Sequence, residues 1–381
     1  MFLTAISALN VIFAAIAQGL TDGVIHLSGS DLSGLKDDFD FLSVGCIHVG
    51  VRAGSILSCF VVATIHSRVR ILQATSLIGL LGRGAILLTL PITGFTKASA
   101  HVLACIIGAC QSVVEIAIYS RTNEAVFYSV SRIVIYLFNA FSSLGQLLAA
   151  TIVHVQQPDE RSLLYVAGGT TIVVAVVFCV VLILSPASTP APLTASKCRV
   201  ILTGIGVFSS TALTSFALRN IPYLLEATGK PVDEATGQHL VGLFYIAFTI
   251  SRFVTILLSF RVSSSSLWFY SSLLIIPSIL LLNSDTHCGA TKIAVVIFGC
   301  FVGPLYPSSI SSLTTSGPLS FLILALLVLI TQIAESVNLF KTNSVQAVLM
   351  GLNLLCLGSA ALNRLGTSCT WKPDMGIKTV P

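Results

Sequence analysis

Charge is scarce in this chain: Asp, Glu, Lys and Arg make up only 9% of its 381 residues. A soluble domain carries roughly 25% charged residues. An apolar content of 55% is also more than a water-facing globule can hide. A water-soluble domain is therefore excluded, and lipid is the solvent that accepts such a composition. No cluster of Lys and Arg interleaved with aromatics is present, which sets nucleic-acid binding aside. No CxxC and no Cys/His metal spacing occurs among the ten cysteines, so neither a metal site nor a structural disulfide is expected. Most cysteines (Cys46, Cys59, Cys105, Cys110, Cys179, Cys300 and Cys356) sit in apolar runs and are expected to pack as small hydrophobes. No Asn-x-Ser/Thr sequon is present, so outer loops should carry no N-glycan. The apolar start, Met1 to Leu20, has no basic region ahead of it and reads as a retained first helix, not a signal peptide.

Long hydrophobic runs fill the rest. A spanning helix needs about 20 mostly apolar residues. Such runs fall near 3–27, 41–64, 71–92, 98–120, 133–155, 163–185, 200–225, 239–260, 266–283, 291–313, 318–338 and 344–363, twelve in all. With the N-terminus placed in the cytoplasm, the inner loops and tail hold Arg68, Arg70, Arg121, Arg132, Lys197, Arg199, Arg261, Arg364, Lys372 and Lys378. The outer loops then hold only Lys36, Lys97, Arg161, Lys230, Lys292 and Lys341. This bias favours both termini inside.

The stretch 186–199, PASTPAPLTASKCR, has the Pro, Ala and Ser content of a flexible linker. It divides the chain into six-helix units, 1–185 and 200–364, followed by a cytoplasmic tail, 365–381. The second span of each unit carries Arg-x-x-Ser/Thr-Ile-Leu, beginning at Arg52 and at Arg252. Two parallel six-helix halves are the layout of major facilitator transporters. The predicted fold class is an all-α membrane protein with twelve transmembrane helices in two pseudo-symmetric bundles.

Four segments carry a resemblance. GLFYIAFTISRFVTILLS in the eighth span and CFVGPLYPSSISSL in the tenth resemble the sodium-dependent glucose transporter family, in the fucose-permease-like branch of the major facilitators. IIGACQSVVEIAIYS is similar to that family's fourth helix, with Glu115 where an acid is expected, and YLFNAFSSLGQLLAATIV is similar to its fifth. The loop after the second span, ATIHSRVRI, keeps the basic Arg68 and Arg70 but lacks the Gly and Asp of the superfamily signature. Around Asp22 the first helix also departs from the family pattern. The resemblance implies alternating-access transport, with helices one, four, seven and ten around a central cavity. It also implies a plasma-membrane location.

A transporter needs polar groups at mid-membrane, and an ionisable one there costs at least about 2.5–3.5 kcal/mol to insert. The charges inside spans are Asp22, Arg52, Arg83, Glu115, Arg219, Arg252 and Glu335. The branch resembled places acids on helices one and four for cation coupling, which points to Asp22 and Glu115. A carboxylate away from water takes up a proton more readily than one in water, or ligates sodium with neighbouring oxygens. The structural alternatives are that Asp22 caps the outer end of helix one and that Glu115 pairs Arg121. Arg52 and Arg252 are read as neutralising those acids and holding the halves in register. Arg219 reaches the interface, and Arg83 is structural.

Sugar recognition uses paired donors and acceptors with an aromatic against the sugar's apolar face. The candidates are Gln18, Gln111, Asn139, Ser143, Gln146 and Tyr306, with interhelical hydrogen bonding as the structural alternative. Gly303 and Pro304 mark a gating bend in the tenth span, or a packing feature.

The expected activity is secondary-active transport of a small polar solute, with a hexose such as glucose as the expected cargo. No cofactor is expected beyond a sodium ion or proton as coupling ion. The rivals are another polar metabolite as cargo, or a non-transporting scaffold or sensor. No nucleophile–base set points to an enzyme. The expected partners are the bilayer and the solute, with the protein a monomer.

Overall fold

The computed structural model describes residues 11–24, 41–65, 69–89, 97–121, 131–156, 160–184, 196–224, 234–282, 288–314, 321–336 and 345–370. Among the described residues the secondary structure is helical, with no strand. The helices are α1 (Val11–Val24), α2 (Phe41–Ile65), α3 (Val69–Thr89), α4 (Lys97–Arg121), α5 (Ser131–Gln156), α6 (Glu160–Leu184), α7 (Lys197–Leu224), α8 (Glu234–Ser259), α9 (Ser264–Leu282), α10 (Cys288–Val302), α11 (Leu305–Thr314), α12 (Phe321–Ser336) and α13 (Val345–Thr370). Seven apolar stretches are long enough to cross a membrane outright, α10 and α11 together forming one of them. Five shorter apolar helices bring the set to twelve.

Polarity is arranged for lipid. Large apolar side chains face outward at helical spacing, as at Ile246, Ile250, Val254 and Leu257 on α8 and Val166, Val173, Val176 and Val180 on α6. The buried set includes Arg52, Arg83, Gln111, Glu115, Asn139 and Gln332. Water would reverse that arrangement. In hydrocarbon it is the stable one, because an unpaired polar group facing lipid costs several kcal/mol (about the desolvation price of a lost hydrogen bond).

The first six helices pack among themselves, with α2 along α4 and α3 against α4 and α6. The later ones do the same, with α13 against α7 and α9 and α10 against α8 and α9. Close approach in the first half depends on glycine. A Cβ on Gly54 would strike the Cys105 carbonyl, and one on Gly108 would strike that of Val51. The Ser55 hydroxyl donates to the Gly108 carbonyl at 2.8 Å across the same contact. Small residues let backbones touch where no hydrophobic effect drives helices together.

The halves meet where α5 packs on α8 and α11, α2 on α12 and α4 on α12. One apolar core is built from both halves. It joins Val11 and Ala14 of α1, Cys59 and Val62 of α2, Val114 and Ile118 of α4, and Val134 and Phe138 of α5 to Ile310 and Leu313 of α11 and Leu324 of α12. These positions are early on α1, α5 and α12 and late on α2, α4 and α11. The bundles are therefore sealed together at the end where α1 starts.

Two expected boundaries shift. The last helix runs on to Thr370, into the expected tail, and α7 begins at Lys197, inside the expected linker. Residues 186–195 of that linker and the chain after 370 lie outside the described residues. The expected bend in the tenth span is present: a turn at Gly303 and Pro304 separates α10 from α11. Pro304 and Pro307 have no N–H to donate, so the carbonyls four residues before each, Cys300 and Gly303, lose their helical partners.

Candidate functional site

Three of the buried acids and two arginines gather in one region. Arg83 of α3 donates from Nη2 to Asp22 Oδ1 of α1 at 2.8 Å, with the two side chains 1% and 14% exposed. Arg52 of α2 pairs with Glu335 of α12 and donates from Nη1 to Gln332 Oε1 at 2.8 Å. Glu115 of α4 accepts from the Tyr306 hydroxyl of α11 at 3.3 Å. Among the described residues it has no ion-pair partner. Asp22 lies in the field of Arg52 as well as Arg83, and Glu115 in the fields of Glu335, Asp22 and Arg52. Two guanidinium charges facing three carboxylates leave one negative charge in excess, at the acid that has only a hydroxyl.

These contacts correct the expected pairings. Arg52 neutralises Glu335, not Asp22 or Glu115. Arg83 is the partner of Asp22. Glu115 does not pair Arg121, and its contact is Tyr306.

Among the described residues Arg252 has no carboxylate partner either. Its Nε donates to the Gly303 carbonyl at 3.1 Å and its Nη1 to the Asn139 carbonyl at 2.8 Å. The guanidinium lies over the Phe248 ring, 4.0 Å from the centroid. The Gly303 carbonyl is one of those freed by proline, so the arginine supplies the donor that Pro307 lacks. The expected role of Arg252 as a neutraliser of acids is therefore replaced by that of a clamp joining the tenth-span break to α5. The Arg219 side chain lies outside the described residues.

The polar candidates divide. Asn139 Nδ2 donates to the Ile135 carbonyl at 2.8 Å and to the Tyr119 hydroxyl at 3.5 Å. Tyr119 donates to Tyr306 at 3.4 Å, and Tyr306 also touches the Thr331 hydroxyl at 3.4 Å. The result is a hydroxyl chain from Asn139 through Tyr119 and Tyr306 to Glu115, and it crosses between the halves twice. Ser143 is used structurally: its hydroxyl donates to the Ala140 carbonyl at 2.7 Å, and its own carbonyl accepts from Thr249 of α8 at 3.2 Å. Gln18 and Gln111 are buried, each one helical turn before an acid, Asp22 and Glu115 respectively. Gln18 Oε1 has no hydrogen-bond partner among the described residues, so an acceptor stands unused beside the charged group. Gln146 is half-buried on α5.

Tyr119, Thr331 and Phe248 escaped the sequence reading. Tyr119 stands one helical turn after Glu115 on the same helix, and that spacing was its one available signal.

Twelve apolar helical stretches among the described residues, packed as two halves with charged side chains buried among them, have the fold of a major facilitator transporter, and the chain is an integral multi-pass membrane protein. Solved structures that share the fold include two of one transporter. The chain superposes on a major facilitator transporter, FucP, in the outward conformation, with a TM-score of 0.71 at 13% identity, covering 94% of this chain and 98% of that one. It superposes on a variant of the Escherichia coli fucose:proton symporter FucP with a TM-score of 0.69 at 13% identity, covering 95% and 98%. At that identity the likeness is one of fold. No protein-family model and no curated protein sequence matches the chain.

Proposed function

We propose that the protein is a secondary-active transporter of a small polar solute, with a hexose as cargo, and that a proton or sodium ion drives it by alternating access. The six-helix units rock about the buried centre. The carrying observation is Glu115: 5% exposed, inside a span, and the one acid of the cluster without a guanidinium. An ionised carboxylate left unpaired in a bilayer is costly and marks function by default. A bound cation removes the cluster's excess charge, which gives the protein a reason to favour a loaded state. Asp22, by contrast, already holds Arg83, and its contribution is to set the field at Glu115.

Support for a sugar comes from the neutral donors and acceptors around that acid, Asn139, Tyr119, Tyr306 and Gln111, and from the fold shared with a fucose:proton symporter. The basic-residue bias of the loops supports both termini in the cytoplasm. The sealed end of the bundle then faces the cytoplasm and the site is reached from outside. Plasma membrane is the location that the resemblance implies. The test is uptake of radiolabelled D-glucose and L-fucose into proteoliposomes under a proton gradient, a sodium gradient or neither. One gradient should drive accumulation, and Glu115→Gln should allow equilibration without accumulation. Gradient-driven accumulation by the Gln variant equal to wild type would refute the assignment of Glu115.

A further inference from the structure

The lipid face of α8 ends in a charge. Ile246, Ile250, Val254 and Leu257 point outward, and Arg261, one turn past Leu257, is exposed as well. A last tight turn carries the chain to it: the N–H groups of Arg261 and Val262 both donate to the Leu258 carbonyl, at 3.0 and 2.8 Å. α5 runs antiparallel to α8. Arg252 meets the Asn139 carbonyl and Thr249 meets the Ser143 carbonyl, a register that sets Arg132 of α5 level with the end of α8. Arg132 is half-buried. Two guanidinium groups therefore stand at the same end of the α5–α8 seam, and among the described residues neither has an ion-pair partner.

Between these arginines and the middle of the bilayer, the same seam holds an apolar groove of about 570 Å³. Leu144 and Leu147 of α5 line it with Phe253, Val254 and Leu257 of α8. Phe253 is held in place by Phe141, edge to face, with ring centroids 5.4 Å apart. The polar side chain on its wall is Thr249, whose hydroxyl is already bonded to the Ser143 carbonyl at 3.2 Å. A ligand here meets hydrocarbon and nothing else, which excludes a polar solute. Along α8 the groove runs from Thr249 to Leu257, about 12 Å at 1.5 Å per residue, with Arg261 about 6 Å further on. One leaflet has a hydrocarbon depth of about 15 Å, half of the core. Groove and arginines are thus spaced as the tail and the phosphate of one lipid are.

We propose that the α5–α8 seam binds an anionic phospholipid, its phosphate between Arg261 and Arg132 and one acyl chain in the groove. Arginine suits this partner, because its planar fork meets two phosphate oxygens at once. The basic bias of the loops puts this end of the seam in the cytoplasm, the leaflet where anionic lipids concentrate. A lipid with net negative charge is preferred, since a zwitterionic one brings a cation of its own to the two arginines. The site needs neither Glu115 nor the solute.

Native mass spectrometry of the full chain released from detergent micelles, with dioleoyl phosphatidylglycerol or dioleoyl phosphatidylcholine added, reads the affinity for the first lipid bound. Wild type should bind the glycerol lipid about 25-fold more tightly, about fivefold for each arginine. Arg261→Gln and Arg132→Gln should each remove about fivefold, and the double variant should bind the two lipids alike. Arg261→Lys should keep most of the preference. Val254→Trp, which fills the groove from its lipid side, should weaken both lipids at least about fivefold and leave their ratio unchanged. Glycerol phosphate, a headgroup without tails, should not displace the lipid. An equal loss from Arg364→Gln, at the same membrane face on α13, would reduce the preference to diffuse surface charge. Unchanged binding by Val254→Trp would put the tail elsewhere, and displacement by glycerol phosphate would make this a site for free phosphate. Any of these three results overturns the proposal.

Discussion

Removing Arg83 should cost more stability than removing it together with its partner. Its side chain is 1% exposed and donates to Asp22 at 2.8 Å. Among the described residues its Nε has no hydrogen-bond partner, so the pair is imperfectly satisfied. Breaking a buried pair from one side costs about 3–5 kcal/mol, because the remaining charge is left uncompensated, whereas replacing both members by apolar groups is often neutral. Arg83→Met should therefore lose about 3–4 kcal/mol at pH 7. Asp22→Leu should lose a similar amount, and the double variant less than about 1 kcal/mol.

A ceiling follows from proton uptake. An orphaned Asp22 can discharge itself, at about 1.36 kcal/mol per pH unit above its ordinary value near 3.9. The penalty for Arg83→Met is thus capped at about 4 kcal/mol at pH 7 and at about 1.5 kcal/mol at pH 5. It must shrink on acidification. Denaturant titration in mixed micelles, for the four corners of the cycle at both pH values, measures it. A coupling energy below about 1 kcal/mol would place the pair with exposed salt bridges. A penalty unchanged between pH 7 and pH 5 would mean that Asp22 is not the charge left behind. Either result would refute the burial argument.

Further outcomes follow from contacts elsewhere. Gly108→Leu should abolish a monodisperse peak in size-exclusion chromatography, because the new side chain meets the Val51 backbone. Gly351→Ala, where a Cβ meets nothing within 4 Å, should hold or raise the melting temperature, Ala being favoured over Gly in a helix by up to about 1 kcal/mol. Arg252→Lys should lower solute turnover at least about tenfold, since one ammonium cannot span both the Gly303 and Asn139 carbonyls as the planar fork does. Proteoliposome uptake rates under the effective gradient check it. Asn139→Leu removes the amide that donates to the Tyr119 hydroxyl and should destabilise by about 0.5–1.5 kcal/mol in the same denaturant assay.

The fold was legible because hydropathy and span length are local properties. Each run of about 20 apolar residues announces itself, and the break in the tenth span was visible in the Gly303-Pro304 sequence. Some of the residues in the centre were nearly as legible: a charge inside a span has few tolerable places, and Arg52, Asp22 and Glu115 are all there, whereas Arg83, read as structural, joins them as the partner of Asp22. Pairing was not legible, because it depends on how each helix is rotated and which helix it meets. Arg83 finds Asp22 sixty-one positions away, and Arg52 finds Gln332 two hundred and eighty away. Periodicity along either helix gives no information across such separations.

Arg252 shows a further kind of limit. It shares a local pattern with Arg52, which suggests a shared task, yet one meets a carboxylate and the other two carbonyls. The difference traces to Pro307. By removing a donor from the tenth span it creates an acceptor at Gly303, and the guanidinium serves that acceptor instead of an acid. With Arg252 occupied there, Arg52 and Arg83 are left to serve three acids, and among the described residues Glu115 is the one without a guanidinium. The proline on α11 and the unpaired carboxylate on α4 are in this sense two consequences of one distribution of donors. A substitution restoring the missing N–H, Pro307→Ala, should free Arg252 to compete for that charge. Solute accumulation driven by the effective gradient should then weaken toward that of Glu115→Gln. Accumulation equal to wild type would show that the guanidinium is held by Asn139 and Phe248 alone, and that the two features are unconnected.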